Sequence, residues 1–87
     1  MWRYPPGARG RRHIEGAQEE VFVVLEGTIT MMLGEPAEAV ELTRGSVARV
    51  APGTELQVRN QGSAPAQVLI WGAPAITGQA QILDDLP

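Results

Sequence analysis

From Glu20 to Gly27 the chain reads Glu-Val-Phe-Val-Val-Leu-Glu-Gly, five apolar residues in a row closed by a carboxylate and a glycine. A run this short, β-branched and aromatic, is a strand and not a helix. Strand side chains alternate between faces, so an unbroken run puts apolar groups on both of them. Both faces must therefore be covered. One can line the interior of a barrel, and the other needs a second sheet or a second subunit.

The rest of the chain repeats this theme. Glu26-Gly27 is a hairpin-turn candidate, because glycine accepts the positive φ of tight turns, with Thr28 to Leu33 as the returning strand. Gly34-Glu35-Pro36-Ala37, Arg44-Gly45, Ala51-Pro52-Gly53-Thr54 and Asn60-Gln61-Gly62-Ser63 punctuate the chain beyond it. They bound strands at Glu38–Leu42, Ser46–Val50, Glu55–Arg59 and Gln67–Trp71. Leu56 and Val58 fall on one face of their strand, and Trp71 shares a face with Leu69. Pro5-Pro6-Gly7 interrupts the N-terminal segment, which reads as an edge or a lead-in. Six short, evenly spaced strands without a helix predict an all-β sandwich or barrel.

Size and charge narrow the class further. A chain of 87 residues is one small domain, read as residues 1–87 with an edge segment at 1–10 and a tail at 75–87 around a weak apolar stretch at Ile82-Leu83. Small domains lean on disulfides, metals or partner chains, and this one has no cysteine. A net charge of −3 gives no general attraction to nucleic acid or anionic membrane. Nothing resembles a signal peptide or a membrane span, so a cytoplasmic location is expected.

The spacing of the polar residues is specific. Gly7, His13, Glu15, Glu20 and Gly27 follow the pattern G-x5-H-x-H-x3-4-E-x6-G at every interval, with Glu15 where the second His belongs. Gly45, Pro52-Gly53 and Asn60 fall at positions compatible with G-x5-P-x-G-x2-H-x3-N, with Leu56 in place of the His. Over about residues 5–74 the chain thus resembles a small single-domain cupin, a jelly-roll β-barrel of the RmlC-like type. Such barrels have one or two strands before the first motif that this chain is expected to lack. Either Trp2 and Tyr4 belong to a strand that completes a partner's sheet, or the barrel is a reduced one; both readings lead to the expectation of a homodimer, with exchange of the N-terminal segments between subunits as the leading arrangement.

Cupins that bind metal use three His and one Glu. The resemblance carries those roles onto His13, Glu15, Glu20 and Leu56, and Leu56 cannot ligate. His13 is the single histidine, so a two-His-one-carboxylate iron triad cannot form within one subunit. The residual set of one imidazole and two carboxylates is a poor home for Mn, Fe or Zn, and no cofactor is expected. Arg49 sits in an otherwise small and apolar strand. Facing inward it is a fixed cation for a carboxylate or phosphate ligand, and facing outward it is an ordinary solvated arginine. Arg49, Leu56 and Trp71 are thus the candidate ligand-binding residues. Arg9, Arg11 and Arg12 either bind an anion at the barrel mouth or are balanced by Glu15, Glu19 and Glu20. Met31-Met32 suits a core, a dimer contact or a pocket, and Asn60 suits the turn that follows it.

The expected function is a small-molecule-binding or sensing module with a degenerate metal site, taking a small organic acid or a sugar-like ligand. One rival is a metal-dependent isomerase, dioxygenase or decarboxylase with His13, Glu15 and Glu20 as ligands. The other is an assembly domain without a ligand. No nucleophile–base pair is visible, so enzymatic activity is left open.

Overall fold

The computed structural model describes residues 1–73 and 80–82, and every regular element among them is a strand. In chain order these are β1 (Trp2–Tyr4), β2 (His13–Glu15), β3 (Glu19–Glu26), β4 (Thr28–Leu33), β5 (Glu38–Thr43), β6 (Val47–Val50), β7 (Glu55–Arg59), β8 (Ala66–Ala73) and β9 (Ala80–Ile82). They form two antiparallel sheets, ordered β1-β8-β3-β6 and β5-β4-β7-β2-β9. Every connection except β4 to β5 passes from one sheet to the other. The result is a jelly-roll sandwich in which each sheet covers the inner face of its neighbour. No helix among the described residues is long and apolar enough to cross a membrane.

The strands expected from Glu20 onward are all present, but one connection differs. Glu26-Gly27 does not close a hairpin, since β3 pairs with β6 and β8 while β4 pairs with β5 and β7. Gly27 instead carries the chain between the sheets at φ +76°, where a Cβ would lie 2.5 Å from the Pro65 carbonyl oxygen. Positive φ and close backbone approach both demand glycine here. Just before it, the register shifts between Val24 and Glu26, a β-bulge at the point where the chain leaves the first sheet.

The N-terminal segment also differs from expectation. β1 pairs with β8 of its own chain, Trp2 opposite Val68 and Tyr4 opposite Ala66, so it completes its own sheet and not a partner's. Pro5 and Pro6 then fall outside the ladder. Gly7 N donates to Asn60 O, Asn60 N donates to Ala8 O, and Gly10 N donates to Val58 O, so residues 7–10 track along β7 toward β2. Of the C-terminal tail, Ile82 lies in β9 opposite His13, and Leu83 lies outside the described residues.

The core fills the space between the sheets. Phe22 and Val24 of β3, Ile29 and Met31 of β4, Val50 of β6, Leu56 and Val58 of β7, and Ala66 and Val68 of β8 are all buried. Met31 is thus core filling. Asn60 is buried too: its Nδ2 donates to Tyr4 O and Ala64 O, both at 2.8 Å, and its Oδ1 accepts from Gly62 N. Three bonds from one side chain tie β1 to the turn after β7 and leave its amide satisfied.

Candidate functional site

Alternation along β2 puts His13 and Glu15 on one face and Ile14 on the other. His13 stands opposite the buried Leu56 of β7, which fixes that face as the inner one. On the other sheet, Glu20, Phe22 and Val24 share the inner face of β3, with Ile70 of β8 opposite Phe22. The two sheets meet through polar atoms at one end. His13 Nε2 lies 3.1 Å from Glu20 Oε1, with the side chains 22% and 14% exposed.

That contact borders a cavity of about 530 Å³ between the sheets. Its polar lining is Tyr4, Arg11, His13, Glu15 and Glu20, and its apolar walls are Trp2, Phe22, Val58 and Ile70. A smaller recess of about 270 Å³, lined by Gly7, Arg9, Arg59 and Asn60, includes none of the candidate metal or ligand residues expected from the sequence.

The electrostatics of the cavity follow from its contacts. His13 Nδ1 lies 3.0 Å from the Arg11 carbonyl oxygen, so both ring nitrogens face acceptors. Only the imidazolium can donate from both. The bond to Glu20 accordingly raises the His13 pKa above its ordinary value, burial opposes that, and the Arg11 carbonyl adds to it. Burial pushes the Tyr4 phenol up as well, and the Glu20 charge reinforces the shift. Glu15 Oε1 is shut off from solvent with no hydrogen-bond partner.

Sequence reasoning places His13, Glu15 and Glu20 together, and the three do line one cavity. Leu56 fills a core position, and among the described residues no three His, Cys, Asp or Glu side chains are grouped so that they could hold a metal ion.

Two of the expected ligand-binding residues are elsewhere. Arg49 stands opposite Val21 on the outer face of the first sheet, its side chain 71% exposed, and donates to Glu19 at 3.0–3.2 Å. Trp71 does share a face with Leu69, but it is the same outer face, across from Val21. Small and apolar residues flank both positions in sequence, so alternation alone fits either orientation. The basic cluster also divides. Arg12 bonds Glu55 and Glu35, the latter at 3.0 Å, and Arg11 lines the cavity.

Trp2, Tyr4, Phe22, Val58 and Ile70 complete the cavity without having been singled out. A signal was present for some of them. Trp2 and Tyr4 are two apart, and Val58 is two beyond Leu56, which is strand spacing for a common face.

Residues 1–72 match the family model described as the cupin domain. The protein TT1209 from Thermus thermophilus superposes with a TM-score of 0.75 at 30% identity, over 83% of this chain and 67% of that one. A sugar phosphate isomerase of the cupin superfamily from Silicibacter pomeroyi gives 0.80 at 28% identity, over 95% and 54%. An uncharacterized conserved protein with a double-stranded β-helix domain from Klebsiella pneumoniae gives 0.84 at 20% identity, over 97% and 71%. The chain thus spans between about half and three quarters of the length of these three structures. No match is found among curated proteins.

Proposed function

The chain belongs to the cupin domain family, and on that footing we propose that it is a small-molecule-binding module that works without a metal. The observation that carries this reading is the cavity itself. Two carboxylates, an imidazole and a phenol converge on one space of about 530 Å³ with an aromatic and aliphatic wall. This combination of apolar lining with few polar groups suits a small organic ligand. The doubly engaged His13 and the loss of the third imidazole to Leu56 support the metal-free half of the reading.

Elemental analysis of protein purified without chelator tests that half. Mn, Fe and Zn well below one per chain are expected, and a stoichiometric metal that disappears in His13→Ala overturns it. A thermal-shift screen of small molecules on chelator-treated protein tests the other half. Hits should disappear in Ile70→Trp, which fills the cavity, and hits that persist there place binding elsewhere.

The partner we infer is a second copy of this chain, docked on the outer face of the first sheet. Val47 is 60%, Trp71 45% and Leu69 38% exposed on that face, around the half-buried Val23, while Val21 is buried beneath its neighbours. Glu19 and Arg49 supply both charge signs on it. A patch with an apolar centre and both signs is complementary to itself under two-fold rotation, as an isologous contact requires. Light scattering should report a dimer that Leu69→Asp converts to a folded monomer. A wild-type monomer at high micromolar concentration refutes the contact.

A further inference from the structure

Resting on the reading of the cavity as a ligand site, we propose that its occupant is a small organic cation. Glu15 would accept the N–H groups of an amine, and the apolar body of the molecule would lie against Trp2 and Tyr4.

Three observations converge on this chemistry. The first is how the charges in the cavity are already used. Glu20 Oε1 accepts from His13 Nε2 at 3.1 Å, so one of the two carboxylates already has a basic partner. Glu15 lines the cavity and takes no side-chain donor among the described residues; its Oε1 is closed to solvent and cavity alike, so Oε2 is the oxygen open to a ligand. A part-buried carboxylate without a donor is costly until something donates to it. An ammonium group brought by the ligand supplies both the donor and the opposite charge.

The second is what the neighbouring arginines do. Arg12 is taken up by Glu35 and Glu55, and Arg49 by Glu19 on the outer face. Arg11 alone reaches the cavity lining, and its side chain is exposed to solvent. Among the described residues that line the cavity, no buried arginine stands ready for an anion.

The third is the wall. Trp2 and Tyr4 project from the inner face of β1, and Phe22 from the inner face of β3, on the far side of β8 in the same sheet. Aromatic faces attract organic cations through their negative π-surfaces, a contribution that grows as water is excluded. Carboxylate plus aromatic lining therefore favours a protonated amine over a carboxylic acid or a neutral molecule of the same shape. The volume of about 530 Å³ holds a single-ring or branched aliphatic amine.

Three probes with one ring and different charge test the proposal: benzylamine, benzyl alcohol and phenylacetate, titrated in chelator-containing buffer. The chain has two tryptophans, so Trp71→Phe leaves Trp2 in the cavity as the sole indole reporter. Saturable change in Trp2 emission is expected with benzylamine, at an affinity about tenfold better than for either other probe. Glu15→Gln, whose unfolding curve reports whether it folds, should lose about tenfold for benzylamine and leave benzyl alcohol unchanged. Phenylacetate binding as tightly as benzylamine overturns the cation and makes the cavity an anion site governed by Arg11. Equal binding of benzyl alcohol overturns it in favour of ring recognition alone. In both of those outcomes the ligand cavity survives. If no probe saturates, the cation proposal falls, and the library screen with Ile70→Trp decides separately whether the cavity binds anything.

Discussion

Glu19 and Glu20 are adjacent in sequence, both carboxylates, and both paired with a basic side chain, yet they belong to different surfaces. Glu20 turns inward and meets His13 across the gap between the sheets, at 3.1 Å and largely out of solvent. Glu19 turns outward and meets Arg49, whose side chain is 71% exposed. One residue of offset along β3 separates a cavity from an outer face. The same division runs the length of the strand, with Phe22 and Val24 in the core and Val21 and Val23 on the other side. Apolar content does not distinguish the two faces. What distinguishes them is what lies opposite, a second sheet on one side and, among the described residues of this chain, none on the other.

The largest effects should follow from the inner face. Phe22→Ala removes a side chain that is 1% exposed and borders both core and cavity. Loss of ~3–5 kcal/mol is expected, a large share of the stability of a domain this size. Val47→Ala, 60% exposed on the outer face, should change stability by less than ~0.5 kcal/mol. Urea unfolding of both, at a concentration where the chain is monomeric, sets the contrast. Equal losses would mean that the outer face is as well covered as the inner one.

Gly27 and Gly45 sharpen the contrast at the sheet-to-sheet crossings. Both have positive φ, +76° and +88°, but only Gly27 has backbone where a Cβ would sit. Gly45→Ala should cost about 1 kcal/mol from backbone strain alone. Gly27→Ala adds the clash with Pro65 and should cost about 3 kcal/mol. Thermal unfolding followed by circular dichroism separates the two, and equal costs would remove the close approach at Gly27 as a constraint.

The strands were legible because each is short, apolar and bounded by turn residues, and the resemblance in spacing brought His13, Glu15 and Glu20 together. Pairing was not legible. Gly27 needs positive φ in a hairpin and in a crossing alike, so the sequence around it reads the same either way. The bulge before it, which helps the chain leave the first sheet, has no local mark in Val24-Leu25-Glu26. Orientation failed for a related reason. Ser46-Val47-Ala48-Arg49-Val50 offers small or apolar side chains on both faces, so Arg49 fitted the interior as well as the exterior. Trp2 and Tyr4 read as an edge segment exchanged with a partner subunit, because their pairing with β8 of the same chain depends on residues more than sixty positions away.

The inner pair also predicts a pH dependence. Its folded-state bond to Glu20 raises the His13 pKa, so protonation favours the folded chain. That contribution is complete below the unfolded-state value of about 6.5 and is lost as pH rises through the folded-state value. The chain has one histidine, so its NMR titration is unambiguous. A midpoint above 6.5 that falls in Glu20→Gln is expected. A midpoint unmoved by that substitution would assign the shift to the Arg11 carbonyl and the Glu15 charge instead.

The outer pair should matter least. Arg49 makes three hydrogen-bond contacts to Glu19, geometrically the more complete of the two pairings. Geometry does not set its worth, because water competes for a guanidinium this exposed and holding two long side chains costs entropy. In the monomer, Arg49→Ala should therefore cost less than ~1 kcal/mol, and added salt should shrink even that. The same substitution should leave probe binding in the cavity unchanged, since Arg49 lies on the opposite side of the sheet from Glu20 and Phe22. Weakened cavity binding in Arg49→Ala would mean that the two faces of β3 are coupled, and the division drawn between Glu19 and Glu20 would no longer hold.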